Sequence, residues 1–264
     1  MNIIMIGDIV GREGREAIVF WLPTFREKND IDLCVVNAEN SAGGMGITAK
    51  IAGQLLEAGV DVITLGNHAC EQKQWLDEAE DFPEVIRPWN SPPSWPGQGY
   101  YTFDCEHGRV LVINLLGQLF MQGADNPFSF LERYLTPLLT RVKPQIVLID
   151  FHAEATAEKN ALGWYLADKV TAVCGTHTHV QTADERILGS GTAYITDLGM
   201  TGSMDGVIGM DRTNSLRRFC TYLPTPYQLQ RGNVYIQGAL IKVDARCGQA
   251  RSIKRLNIKI EDLR

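Results

Sequence analysis

No apolar run in this chain approaches the ~20 residues that a bilayer-spanning helix needs, so a membrane role is not expected. The leading Met1–Ile6 run is shorter than a secretory h-region, has no cationic lead and is closed by Asp8. Positive charge is scarce as well: 25 Lys and Arg stand against 31 Asp and Glu, a net charge of −6. That balance lacks the basic footprint of a protein that grips nucleic-acid duplexes or anionic lipid. Paired cysteine motifs are missing, since the six cysteines fall at 34, 70, 105, 174, 220 and 247 with no Cys-x-x-Cys. Scattered thiols of this kind argue for reduced cysteines and a cytoplasmic setting. There is no internal repeat or low-complexity linker, and the Pro-rich stretch 88–97 reads as a loop within one domain spanning 1–264. An anionic substrate would have to be drawn by a local positive centre, such as a metal, because the overall field repels it.

What is present is the alternation of an α/β protein. Strands are expected at Asn2–Ile6, Leu33–Asn37 and Asp61–Leu65, with helices near Gly14–Arg26 (Pro23 inside it), Thr48–Glu57 (Thr48 as cap) and Gln72–Glu80. From Tyr100 the pattern changes. Tyr100–Phe103 and Val110–Leu115 read as an antiparallel hairpin around 105–108, with His107 facing solvent. Helix Pro127–Arg141, strand Gln145–Ile149, helix Ala155–Ala167 and strand Thr171–Cys174 restore the alternation, and the tail reads as a hairpin of Asn233–Val243 and Arg251–Ile260. Two sheets, one partly antiparallel, account for this order better than one open parallel sheet.

Sites in α/β folds gather at the carboxyl ends of strands. Here those ends carry Gly7-Asp8, Asn37-Ala38-Glu39-Asn40, Gly66-Asn67-His68, Asp150-Phe151-His152 and Gly175-Thr176-His177-Thr178-His179, which hold four of the five histidines. Taken singly, such residues are usually structural: a strand-end Asp caps a helix, and a lone His is a satisfied polar group. Five ends converging on metal-capable side chains point to joint metal binding. The His-x-His pair is expected to put both imidazoles on one side of an extended chain. Imidazole, carboxylate and amide oxygen without thiolate argue against a structural zinc site and suit Fe, Mn or Zn in open coordination. Only Asp8 and Glu39 bring negative charge, so two divalent ions would leave the centre positive and attractive to phosphate.

At this level of detail the sequence resembles the calcineurin-like metallophosphoesterases, and within them the YmdB-like bacterial phosphodiesterases. The resemblance rests on G-D-I-V-G-R-x-G-R from Gly7, N-A-E-N from Asn37, D-F-H-A-E-A-T-x-E-K from Asp150, G-T-H-T-H-V-Q-T-A-D from Gly175 and T-D-L-G-M-T-G from Thr196. It implies a sandwich of two mixed β-sheets flanked by helices, and a binuclear iron or manganese centre. Asp8, Asn40 and His179 would hold one ion, Asn67, His152 and His177 the other, and Glu39 would bridge them. A metal-held hydroxide would attack in line, with His68 as proton donor to the leaving oxygen. The implied activity is hydrolysis of small phosphodiesters or nucleotides, 2′,3′-cyclic nucleotides and 3′,5′-cyclic AMP among them, by a homo-oligomer. Two departures stand out. Val10 occupies a place where the wider superfamily has a ligating His, which Asn40 replaces in the closer family. Ala69-Cys70-Glu71 follows His68 where the closer family tends to carry Thr-Trp-Asp.

Other residues have blander readings. Arg12 and Arg15, near Asp8, read as surface or ion-paired arginines before phosphate ligands. Glu154 and Glu158 read as caps of the helix after His152, or otherwise as partners of a ligating His. Asp184, Asp197 and Thr182 are weighed the same way. Cys174, Trp164 and Tyr165 are expected to pack, and Trp89 and Trp95 to cover the core before stacking on a base. Rival functions are a dinucleotide-binding oxidoreductase, a catalytically silent metal-binding regulator, and a phosphomonoesterase or protein phosphatase using the same centre. The first has Gly7, Gly11 and Gly14 in the wrong spacing and leaves the histidines unexplained.

Overall fold

A computed structural model describes residues 1–261. Two mixed sheets form its centre. In the first, the spatial order is Asp8–Ile9, Met200–Ser203, Val234–Asp244, Asn2–Ile6, Leu33–Asn37, Val62–Thr64 and Val85–Ile86, with Gln249–Lys259 also paired to Val234–Asp244. In the second it is Arg186–Leu188, Thr192–Ile195, Ala172–Thr176, Ile146–His152, Gly108–Leu116 and Tyr100–Cys105. The central strands, Asn2–Ile6 and Leu33–Asn37 in one sheet and Ile146–His152 and Ala172–Thr176 in the other, are buried on both faces. Ile3, Met5, Leu33, Val35 and Val62 of one sheet share a buried cluster with Val110, Val112, Ile146, Leu148 and Ala172 of the other. Helices Gly11–Asn29 and Ala49–Glu57 cover the outer face of the first sheet through Ile18, Leu22, Ile51 and Leu55. Helices Pro127–Val142 and Thr156–Leu166 cover the second through Leu131, Leu135, Leu162 and Leu166. The result is helix, sheet, sheet, helix. No helix among the described residues is long and apolar enough to cross a membrane.

This architecture stacks the site at one end. Asn2–Ile6, Leu33–Asn37 and Val62–Thr64 are adjacent and parallel, so their carboxyl ends deliver Asp8, Glu39 and His68 to one edge. Ile146–His152 and Ala172–Thr176 are likewise adjacent and parallel in the other sheet. Strand Ile146–His152 runs three residues beyond its expected end, so Asp150 and His152 lie within it on one face.

Several expectations are corrected. The first helix spans Gly11–Asn29, longer at both ends than expected. The short strands Asp8–Ile9, Val85–Ile86, Arg186–Leu188, Thr192–Ile195 and Met200–Ser203 give too few alternations to read. Helix Arg212–Thr221, absent from the elements expected from sequence, buries none of its residues and leaves Leu216 and Phe219 exposed; Asp211 caps it by accepting from Asn214 N at 2.8 Å. His107 is not free in solvent: its Nε2 lies 3.1 Å from Asp32 Oδ1 and ties the hairpin to the neighbouring sheet. Trp164 is 60% exposed, whereas Tyr165 packs edge-on against Phe128. Trp89 covers the core, edge-on to Tyr100 and Phe130.

Candidate metal centre

The structure gathers Asp8, Glu39, Asn40, Asn67, His68, His152, His177 and His179 at the shared end of the two sheets. His152 is at the middle. Its Nε2 lies 2.9 Å from Glu39 Oε1, 3.1 Å from Asn67 Oδ1 and 3.0 Å from His177 Nδ1. Beside it, His179 Nε2 lies 3.1 Å from Asn40 Oδ1 and 3.9 Å from Asp8 Oδ1. The peptide N–H groups of His68 and His177 donate to Glu39 Oε2 (2.9 Å) and Asp8 Oδ2 (3.1 Å), which fixes both carboxylates from below.

Each ring is turned by a partner on its far side. His152 Nδ1 faces Thr176 Oγ1 at 2.9 Å, and that hydroxyl donates to Asp150 Oδ1 at 2.6 Å. Thr176 is His152's register partner on the next strand, so the contact is a direct product of sheet pairing. Thr64 and Asn37 also donate to Asp150, whose carboxyl is raised by burial against these bonds. His179 Nδ1 donates to Ile208 O at 2.9 Å, leaving Nε2 as the free lone pair. Asn40 Nδ2 donates to Gly44 O, leaving Oδ1 to face His179.

The donor set fits a divalent cation. Glu39 Oε1, Asn67 Oδ1 and His177 Nδ1 converge on one nitrogen, and one shared proton cannot satisfy them all. Asp8 Oδ1 is buried with no hydrogen-bond partner, an arrangement expected of a ligand atom. Electrostatics agree. Burial would lift the Glu39 carboxyl, but the charge and hydrogen bond of His152, with His68, bring it down to about 2. Burial would lower His152, but Glu39, Asp8 and Asp150 hold it up at about 9. Burial raises Asp8 to about 6 against the pull of His179 and His152, and burial with the neighbouring His152 drives His177 down to about 3. A site that keeps a buried imidazole cationic is one that calls for positive charge.

That shift has a measurable consequence. A metal takes neutral imidazole, so a metal held by His152 below about pH 9 would have to expel its proton. The sign is therefore that affinity rises with pH, by about tenfold per unit if one proton is released, and levels off above about 9. Calorimetry in buffers of different ionisation enthalpy should count about one proton released per chain near pH 7.5; pH-independent binding between 7 and 9 would contradict it.

Gly66 offers a steric test. A Cβ there would run into Glu39 Oε2 and sit 2.5 Å from His152 Nε2, while its φ lies outside the left-handed region. Gly66→Ala is thus expected to leave the backbone undisturbed and displace two donors. Metal content should fall well below wild type with an unchanged far-UV spectrum; full metal content would show the site to lie elsewhere.

The His-x-His expectation fails in its geometry. The strand ends at Thr176, and His177 and His179 both have positive φ, 97° and 62°. The rings are not on one side of an extended chain: one joins His152 and the other joins Asn40. Sequence reading also passed over Thr64, Asn37 and Thr176, which orient Asp150 and His152; no spacing marks them, only their register positions. Glu158 does not cap its helix. It is buried and accepts from Gln118 N and Leu119 N, 2.9 and 3.2 Å, fastening that loop. Glu154 Oε2 lies 3.3 Å from His177 Nε2, the alternative role weighed for it. Asp184 accepts from Thr182 and Thr196 and touches none of the gathered donors. Arg12 is exposed and paired with Glu16, and Arg15 donates to Ser41 O, so neither points at the cluster.

The model of the YmdB-like protein family matches residues 4–256. A Bacillus subtilis protein named 2′,3′-cyclic-nucleotide 2′-phosphodiesterase is 42% identical over 98% of this chain and 97% of its own. The crystal structure of a novel phosphatase from Mycoplasma pneumoniae superimposes with a TM-score of 0.91 at 34% identity, over 98% of this chain and 93% of that one. A 5′-nucleotidase from Candida albicans shares the fold at TM-score 0.61 and 13% identity, over 98% of this chain and 51% of that one.

Proposed function

The chain belongs to the YmdB-like protein family and is a phosphoric ester hydrolase; we propose that it is a binuclear metal-dependent phosphodiesterase acting on small diesters such as 2′,3′-cyclic nucleotides, with 3′,5′-cyclic AMP as a further candidate. The observation that carries this reading is the ring of acceptors around His152 Nε2 beside the Asp8, Asn40 and His179 group. In this reading Asp8, Asn40 and His179 would hold one ion and Asn67, His152 and His177 the other, with Glu39 shared by both. Iron or manganese suits these oxygen and imidazole donors. When bound, the pair supplies Lewis acidity toward the phosphate oxygens and lowers the pKa of the attacking water.

The chain's own residues do the rest. Asp150 and Thr176 keep the His152 lone pair aimed inward, and the His68 and His177 amides keep Glu39 and Asp8 from rotating. His68 is anchored by its backbone while its ring is 26% exposed, a setting suited to meeting a substrate. Water adds to phosphorus and gives up a proton to solvent, one P–O ester bond breaks, and His68 delivers a proton to the departing ribose oxygen. Glu71 Oε1, 3.5 Å from His68 Nδ1, stands ready to support that ring when protonated.

Turnover of a panel holding 2′,3′- and 3′,5′-cyclic nucleotides, a phosphomonoester and a phosphopeptide, by protein loaded with Mn²⁺ or Fe²⁺, tests the assignment. Preference for a cyclic diester supports it. Preference for the monoester or the phosphopeptide would transfer the same centre to the phosphatase reading, which the M. pneumoniae neighbour's name favours.

A further inference from the structure

A buried lysine is not expected beside a cation site. Yet Lys159, on the helix that follows His152, is 1% exposed and within reach of the His177–His179 segment. Its Nζ donates to Asp197 Oδ2 at 2.6 Å and to Thr176 O at 2.7 Å. Asp197, also fully buried, accepts at the same Oδ2 from Thr178 N (3.1 Å) and Thr178 Oγ1 (2.8 Å), and at Oδ1 from Gly199 N (2.8 Å). Thr178 is the residue between the two left-handed histidines, so the carboxylate grips the turn at its middle. Thr176, gripped by the lysine at its carbonyl, is the residue whose hydroxyl orients His152. One ion pair thereby reaches all three imidazoles without touching any of them.

Two physical arguments give this arrangement a purpose. Buried ion pairs are poor devices for stability, because desolvation offsets their attraction and apolar replacements are often neutral or better. Non-glycine residues with positive φ persist only where surrounding contacts over-determine them, and they gather at functional sites. The strained element here is the histidine turn; His177 N is held by Asp8 and His179 Nδ1 by Ile208 O, and Asp197 holds the residue between them.

We propose that Lys159 is a positioning residue that, through Asp197 and Thr176, holds the His177–Thr178–His179 turn in its left-handed form and so sets the affinity of the centre for metal. This rests on the reading of His152, His177 and His179 as ligands. Asp197 then needs Lys159 to stay oriented, and Thr178 needs Asp197 to keep its neighbours' rings on two different donor groups.

The test is metal affinity, measured by competition of Mn²⁺ with a chromophoric chelator, in wild type, Lys159→Met and Thr178→Val. Thr178→Val removes the hydroxyl bond to Asp197 at a half-exposed position with no buried charge left behind, so it is informative even where Lys159→Met fails to fold. The expected result is affinity weakened about 10–100-fold in Lys159→Met, and less in the same direction in Thr178→Val, with kcat at saturating Mn²⁺ within a few-fold of wild type. Wild-type affinity in Thr178→Val and in folded Lys159→Met would overturn the brace while leaving the metal centre standing. Wild-type protein that takes up no metal would overturn the reading beneath it.

Discussion

His68→Ala is expected to retain both metal ions and to lose about 10²–10⁴ of its turnover of a cyclic nucleotide. The magnitude is that of general acid help to a poor leaving group. A ribose alkoxide is strongly basic and needs a proton as the P–O bond breaks, and no other ring in the cluster is free to provide it: His152, His177 and His179 each face a carboxylate or amide oxygen or one another. His68 contributes its peptide N–H to Glu39, and alanine preserves that bond, so the donor cluster survives the substitution. Substrate choice sharpens the test. Bis-p-nitrophenyl phosphate expels a stabilised phenolate that needs little protonation, so the loss should be markedly smaller on it than on the cyclic nucleotide. Equal losses on both, or loss of metal, would show that His68 serves the site as a ligand or a prop.

Glu39→Gln should fail differently, in metal content first and turnover with it. The substitution keeps shape and removes charge. Glu39 Oε1 faces His152 Nε2 at 2.9 Å while Oε2 accepts from His68 N, so both oxygens are committed. An amide nitrogen in either place sets a donor against His68's N–H or removes the anion that keeps His152 near 9. Two-ion stabilisation contributes several kcal/mol to the transition state, so turnover is expected to fall by at least about 10³. Elemental analysis should find metal depleted in parallel. A variant with full metal content and near-normal turnover would remove Glu39 from the centre.

The sequence carried the layout of this site better than its mechanics. Each gathered donor could be found because an apolar strand ended in it, and strand ends are where an α/β sheet exposes side chains. Asp8, Glu39, Asn67 and His152 follow that rule. The His177–His179 turn does not, since its spacing resembles an extended pair while its backbone turns left-handed at both histidines. Nothing local in Thr178 announces this; it depends on Asp197 and Lys159, nineteen and nineteen residues away on either side. The orienting role of Thr176 and Asp150 was equally silent, because what makes Thr176 an orienting group is its register against His152. The helix Arg212–Thr221 was missed for another reason: it is short, mostly polar and buries none of its residues, so its few apolar positions do not mark a core-facing element.

The departure after His68 leaves the metal-capable donors in place. Ala69 is buried against the outer helical layer and Cys70 is half-buried, so neither enters the donor ring. Glu71 keeps a carboxylate within 3.5 Å of His68 Nδ1.

In the proposed centre Asp8, Glu39, Asn40, Asn67, His152, His177 and His179 together hold two ions. Metal stoichiometry of the purified chain, loaded with Mn²⁺ and freed of excess, measures it directly. Two ions per chain in the wild type, reduced in His177→Ala, is the predicted result. Absence of bound metal together with cyclic-nucleotide hydrolysis that persists under chelation would contradict it.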